Sequence, residues 1–146
     1  MNDTELSTGT IVATVVGAVA LLVSGWVHFY LYFRGGYRGI APDSVLGLTI
    51  SRSFALNAIA AAVIAEALVL GLRYRSLLLP AAAVGAGFAV ATLVAYFLSR
   101  TRGLLGFEES TTTTEAVIAM VAEALALVIL VPVAVSELRA RRHPAR

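Results

Sequence analysis

The sequence predicts an all-α fold, a bundle of four transmembrane helices in antiparallel, up-down-up-down order. Of its 146 residues, 59% are hydrophobic, and the mean hydropathy is +0.87. Charged residues make up 14% of the chain, whereas soluble domains carry about 25%. Four apolar stretches reach the length of roughly 20 residues that a membrane-spanning helix requires. These observations favour an integral membrane protein over a soluble one.

The four predicted spans cover residues 10–33, 45–72, 77–98 and 116–135, and a basic tail covers 136–146. The connections between them are too short to hold a soluble domain, so we expect one integral membrane domain over residues 1–146. The ends of the helices also have recognisable signals. Pro42–Ser44 is expected to start the second helix and Pro80 to lie in the first turn of the third. Thr112 is the expected N-cap of the fourth helix, with Glu115 at N3, and Pro132 should bend its last turn.

The second span is longer than a bilayer requires. Residues 45–72 would form a helix of about 42 Å, and Arg52 interrupts its apolar pattern. We favour one long tilted helix with Arg52 near the outer boundary. The alternative is an interfacial segment over residues 44–53, with the span starting near Phe54.

The composition excludes several kinds of chemistry. The chain has no cysteine, which removes disulfides, thiolate metal sites and cysteine nucleophiles. All 11 basic residues are arginine, so no lysine is present to form a Schiff base. No phosphate loop, catalytic triad or nucleic-acid module is recognisable. We expect no metal and no cofactor; haem or a quinone is the alternative, but His28 is the only histidine in a span.

Two glutamates in predicted spans are the strongest functional signal. Glu66 lies in VIAEALVL and Glu123 in MVAEALAL. A carboxylate in the middle of a bilayer costs a few kcal/mol, even on the more lenient insertion scales. Each glutamate should therefore be neutral, paired across helices, or exposed to a water-filled cavity.

Small residues recur at helical spacing on the first and third spans, and each series ends in polar residues. On the first span the series runs through Gly17, Ala20 and Ser24 to His28. On the third it ends in Thr92 and Tyr96. Since small residues mark helix–helix contacts in membranes, we expect His28 and Tyr96 to face the bundle interior.

Polar residues at similar depth on all four spans predict an interhelical pocket that opens to the outer side. This candidate site consists of Ser24, His28, Arg52, Ser53, Asn57, Thr92, Tyr96 and Glu123. The alternative is a set of interhelical hydrogen bonds that only hold the helices together. Within the site, His28 and Glu123 are a candidate proton-linked pair, because a protonated imidazole would form an ion pair with the carboxylate.

Glu66 has no recognisable partner in the sequence. It lies on a different face of its helix from Asn57, so we expect a second cavity or a contact with another subunit. In the outer connection, Arg34, Tyr37 and Arg38 are candidates for contact with lipid or with the acidic FEES loop.

The two halves of the chain resemble each other when residue 16 is set over residue 84. Ser24 then falls over Thr92 and His28 over Tyr96, and an AEAL string follows in each half. Two spans per half would give a parallel hairpin repeat about an axis along the membrane normal. The alternative is a chance likeness between spans rich in alanine, valine and leucine.

The distribution of arginine favours cytoplasmic termini. Six of the 11 arginines lie in the middle connection and the C-terminal tail, on the side of the termini. An arginine-rich chain without lysine is typical of a GC-rich genome, so we expect a bacterial cytoplasmic membrane protein.

Two short motifs resemble those of a known group of proteins. The first is HFYLYFRGGYRGI, which a proline and a long apolar helix follow, and the second is GLLGFEES, which precedes the last span. The chain is similar to small four-span membrane proteins of high-GC actinobacteria, which have no settled activity. In size and span count the chain also resembles DoxX-like four-helix proteins.

The leading hypothesis is a non-enzymatic membrane protein whose pocket binds a small or lipid-like ligand, or which acts as an accessory subunit. One rival is a proton-coupled transporter or channel, built as a homo-oligomer with Glu66 and Glu123 as carriers. Another is a membrane enzyme acting on lipid or quinone. The expected partners are the lipid bilayer and a second copy or a larger membrane complex, and no nucleic acid.

Overall fold

The computed structural model describes residues 6–39 and 47–142, and over these ranges the chain forms four long helices. These are α1 (Thr8–Phe33), α2 (Ile50–Arg73), α3 (Arg75–Thr101) and α4 (Thr114–Arg142). Each is long and apolar enough to cross a membrane, and the described residues include no β-strand. The predicted all-α, four-helix transmembrane bundle is confirmed.

The helices are arranged in a ring in which α1 and α3 each pack between α2 and α4. Four fully buried leucines, one from each helix, fill the core: Leu21, Leu68, Leu78 and Leu130. Gly17 and Gly85 provide the space for Leu130, because a Cβ atom at either position would lie 2.5 or 2.8 Å from its side chain. The glycines of the small-residue series therefore allow α1 and α3 to approach α4 closely.

The start of α2 differs from the predicted one. The helix begins at Ile50, after a turn at Gly47 with φ +78°. Thr49 is extended, and its hydroxyl accepts a hydrogen bond from the Arg52 amide. A left-handed glycine and a threonine cap stop the helix from extending back towards Val45, so the predicted long helix is too long at this end. The proposed start at Pro42–Ser44 lies outside the described residues.

The α3 and α4 helices are both longer than predicted. Because α3 begins at Arg75, Pro80 lies in its second turn, where it lacks the amide that would bond the Ser76 carbonyl. The Arg141 guanidinium donates to that carbonyl instead, at 2.8 Å. The Arg141 side chain thus replaces the missing backbone hydrogen bond.

The N-cap of α4 is Thr113, one residue after the predicted Thr112. Its hydroxyl accepts from the Ala116 amide at 3.2 Å, and Thr112 lies 3.3 Å from the Tyr96 hydroxyl instead. The helix also continues to Arg142, ten residues beyond Pro132, so the proline is not in its last turn.

Residues 136–142 of the predicted basic tail are part of α4 and bond to the first turn of α3. Among them, Glu137 is buried, and its carboxylate accepts from the Arg75 guanidinium at 3.1 Å. Charged side chains of α3 and α4 therefore join at the end of the bundle nearest the termini.

Candidate functional site

A cavity of about 120 Å³ lies among the four helices, at the end opposite the Arg75–Glu137 ion pair. The small side chains Ala95, Ala116 and Ala119 leave space between the helices at this level, whereas Leu21, Leu68, Leu78 and Leu130 fill the space below. The fully buried leucines therefore lie below the cavity, where they fill the core.

The inner end of the cavity is a buried polar pair. Glu123 is 2% exposed and Ser24 is fully buried. The Ser24 hydroxyl donates to the Glu123 carboxylate at 2.7 Å, which joins α1 to α4. The Thr92 hydroxyl lies beside the same carboxylate and also bonds to the Phe88 and Ala89 carbonyls. Three helices thus hold Glu123 in place.

His28 lines the cavity one helical turn above Ser24. Its Nδ1 atom lies 2.9 Å from the Ser24 carbonyl oxygen, which can only accept a hydrogen bond, so Nδ1 carries a proton. Within the described ranges Nε2 forms no hydrogen bond. Ser24 links the predicted His28–Glu123 pair, since its main chain bonds one residue and its side chain bonds the other.

Asn57 supplies an unsatisfied acceptor. It lines the cavity from α2, and its Oδ1 atom is buried with no hydrogen-bond partner among the described residues. A buried acceptor without a donor costs about 1–3 kcal/mol. The side chain is therefore in the state expected of a group whose partner is a bound molecule.

Aromatic side chains from two connections close the outer end of the cavity. The Tyr37 ring stacks on Phe54 at 4.3 Å between centroids and meets the edge of Phe107 at 5.5 Å. Its hydroxyl donates to the Glu109 carboxylate at 2.7 Å. Burial, together with this hydrogen bond, raises the pKa of the Tyr37 phenol well above its ordinary value. Tyr37 therefore stays neutral, and remains a donor, at physiological pH.

The structure brings together six of the eight residues predicted to form the pocket. His28, Ser53, Asn57, Thr92, Tyr96 and Glu123 line the cavity. Ser24 lies behind Glu123 and does not reach the cavity surface. Arg52 is exposed and donates to the Gly47 carbonyl at 2.5 Å, because the late start of α2 places it in the first turn.

In the outer connection, Tyr37 was a candidate for contact with lipid or with the acidic FEES loop. Its side chain lines the cavity, and its hydroxyl donates to Glu109 of that loop. Arg34 and Arg38 are both exposed, and the Arg38 guanidinium lies over the Phe33 ring at 5.8 Å. Of these three residues of the outer connection, Tyr37 bonds to the acidic loop.

Sequence reasoning missed Phe54, Phe107 and Glu109 as cavity residues. Phe107 and Glu109 belong to a loop, where helical periodicity gives no information. The turn signal was present, since Gly103 and Gly106 both have positive φ, and the amide and carbonyl of Leu104 pair with those of Phe107. This tight turn directs the loop back over the bundle.

Glu66 lies outside the cavity, on the surface of α2 that faces away from the bundle. The two AEAL strings therefore have different environments, because Glu123 is buried and Glu66 is exposed. The described residues contain no continuous polar path that joins them.

No group of three histidine or acidic side chains able to hold a metal ion occurs among the described residues. No family model, curated protein or solved structure matches the chain. The geometry of the cavity is thus the basis for any functional conclusion.

Proposed function

We propose that this chain is a non-enzymatic membrane protein whose cavity binds a small molecule or the polar end of a lipid-like one. The observation that carries the proposal is a cavity with the buried Glu123 at its inner end and Asn57, whose buried Oδ1 atom has no hydrogen-bond partner, in its wall. An engineered apolar cavity of about 150 Å³ holds benzene, so a volume of about 120 Å³ suits a group of similar size.

The rival functions have less support. A proton-coupled transporter needs Glu66 and Glu123 on one route, yet Glu66 lies on the outer surface. For an enzyme, His28, Tyr96 and Glu123 share the cavity, but each bonds to a different protein group. Ligand binding does not require His28, Tyr96 or Glu123 to react. It also gives a role to the Asn57 acceptor, which has no hydrogen-bond partner.

Native mass spectrometry in mild detergent tests this proposal. The wild-type chain is expected to retain a small adduct, and Asn57→Leu is expected to lose it, because leucine has similar volume but no acceptor. Glu66→Gln, a polar change outside the cavity, is the matched control and should retain the adduct. The same spectrum for wild type and Asn57→Leu would overturn the proposal.

The exposure of Glu66 favours a second property, assembly with another copy of this chain through α2. We propose that Leu56, Ile59, Val63, Glu66 and Leu70 form the contact, which we call the α2 seam. Their successive spacings of three, four, three and four residues are those of a heptad, and all five are exposed. Lipid tails cannot bond a carboxyl group, so Glu66 requires a protein partner.

A second copy satisfies this requirement by symmetry. Two copies inserted in the same orientation place their α2 helices parallel, with both Glu66 side chains at equal depth. The two carboxyl groups then lie beside each other across the two-fold axis, where each has a polar partner in place of lipid. A single polar side chain in an apolar seam also fixes its register.

We further propose a bacterial cytoplasmic membrane with both termini in the cytoplasm, on the arginine distribution described above. The cysteine-free chain allows a direct test. A Ser76→Cys variant should resist a membrane-impermeant maleimide in intact cells, and rapid labelling there would reverse the orientation.

A further inference from the structure

The described residues that line the cavity include two acids and no arginine. Glu123 lies at the inner end and Glu109 at the outer end. The chain has 11 arginines, but none of those within the described ranges lines the cavity. Within the described ranges neither carboxylate forms an ion pair, and the Arg75–Glu137 pair lies at the other end of the bundle.

Two basic side chains near the cavity bond to main-chain oxygens and not to these carboxylates. Arg100 donates to the main-chain oxygen of Glu109 at 2.8 Å, whereas the Glu109 carboxylate accepts from Tyr37. His28 directs its Nδ1 proton to the Ser24 carbonyl. Both acids accept hydrogen bonds from hydroxyl groups, and within the described ranges neither has a cationic side chain as a partner.

The aromatic side chains add to this preference. Tyr37, Phe54 and Phe107 form one cluster at the outer end of the cavity. The faces of aromatic rings carry negative potential and attract organic cations, quaternary ammonium groups in particular. A chamber with acids at both ends and aromatic rings at its outer end therefore favours a positively charged group without strong hydration.

We infer that the occupant of the cavity is a small organic ammonium ion that also carries a hydrogen-bond donor. This inference rests on the proposed pocket and names its ligand class. The ammonium lies between the carboxylates and the rings. Rotation of the Asn57 side chain brings its Oδ1 atom, which is buried in the present conformation, into reach of a hydroxyl or N–H group of the ligand. Choline and ethanolamine are of a size that suits about 120 Å³, either free or as lipid headgroups.

Isothermal titration in phosphatidylglycerol nanodiscs, which contain no ammonium lipid, tests the class. Choline should bind saturably, and dimethylbutanol, its uncharged carbon isostere, should bind at least roughly tenfold more weakly. Glu123→Gln keeps the hydrogen bond from Ser24 but removes the charge, and it should weaken choline binding by a similar factor. Glu66→Gln, the same change in the other AEAL string, should leave it unaltered.

A second arm separates free ligand from lipid. In phosphatidylcholine nanodiscs, a lower apparent affinity for choline means that the lipid headgroup occupies the cavity; an unchanged affinity means that the free ion is bound. Either result supports an ammonium site.

Equal binding of choline and dimethylbutanol, or full binding to Glu123→Gln, would overturn the ammonium assignment. If Asn57→Leu nevertheless abolished the binding of dimethylbutanol, the proposed ligand-binding pocket would still be supported. If neither compound bound, the ammonium inference would be rejected. The native mass spectra of wild type and Asn57→Leu would still test the pocket independently.

Discussion

Glu66 and Glu123 occupy the same four-residue string, yet their environments are opposite. Glu123 is 2% exposed and accepts a hydrogen bond from Ser24, whereas Glu66 is exposed. The string sets local helix propensity, which is the same for both. What differs is the face of each helix that the neighbouring helices cover, and that is a property of the whole bundle. The partners of Glu123 were predictable because Ser24 and Thr92 belong to periodic small-residue series.

Leu130 is the residue against which glycines of α1 and α3 pack. A Cβ atom at Gly85 would lie 2.8 Å from Leu130 and 3.3 Å from both Ile64 and Leu21. A Cβ atom at Gly87, on the same helix, would have no neighbour within 4 Å. Two glycines in one helix thus differ in packing alone.

We predict that Gly85→Ala lowers the free energy of unfolding by about 1–3 kcal/mol, the usual cost of overpacking a core. Gly87→Ala is the matched control, and it should be neutral or stabilising by about 0.5–1 kcal/mol, because alanine is the better helix former. Thermal unfolding in detergent, followed by circular dichroism, measures both.

Combining Gly85→Ala with Leu130→Ala should remove much of the penalty of the glycine change, since the clashing side chain is gone. Equal stability of the Gly85→Ala and Gly87→Ala proteins would contradict this account of α3–α4 packing.

At the level of elements, hydropathy predicted the number and order of the helices but not where they end. The energetic demand for about 20 apolar residues per span dominates the sequence pattern. Helix ends depend on smaller effects. The left-handed Gly47 moves the start of α2 to Ile50, and Thr113 rather than Thr112 caps α4.

The cavity was predicted only in part, because the sequence pattern gives information about helices and little about loops. Its helical residues follow from depth and periodicity, which place His28, Asn57 and Glu123 inside at one level. Its loop residues, Tyr37 and Glu109, meet across 72 positions of sequence, and no periodic signal links them.

The continuation of α4 as a helix beyond Pro132 reflects contacts with α3. Arg141 donates to the Ser76 carbonyl, which Pro80 leaves without a backbone donor. We predict that Arg141→Gln lowers stability by about 1 kcal/mol, a typical net value for one hydrogen bond. In a Pro80→Ala background the loss should be smaller, because the backbone amide that alanine restores can bond the Ser76 carbonyl. Detergent melts of the double-mutant cycle measure the coupling.

Arg142→Gln is the control for this cycle, since Arg142 is exposed on the same terminal turn. Additive effects of the Arg141 and Pro80 changes would mean that the arginine contributes through charge and not through the freed carbonyl.

For the whole molecule, the remaining question is what covers the α2 seam in the membrane. The other exposed helix faces present apolar side chains to lipid at mid-span and need no protein partner. The α2 seam carries Glu66 between Val63 and Leu70, and lipid tails offer it no hydrogen bond.

Disulfide crosslinking of single-cysteine variants in native membranes tests the seam. Across a two-fold axis, paired seam positions approach closely enough for the Cβ–Cβ distance of about 3.5–4.5 Å that a disulfide requires. Ile59→Cys and Val63→Cys should therefore form crosslinked dimers under mild oxidation, and Glu66→Leu should weaken them by removing the paired carboxyl groups. Val128→Cys is the control, because Val128 is 70% exposed on α4, away from the seam. Equal crosslinking at Val63 and Val128 would indicate random collision, and crosslinks from Val63→Cys to a different protein would replace the second copy with another subunit.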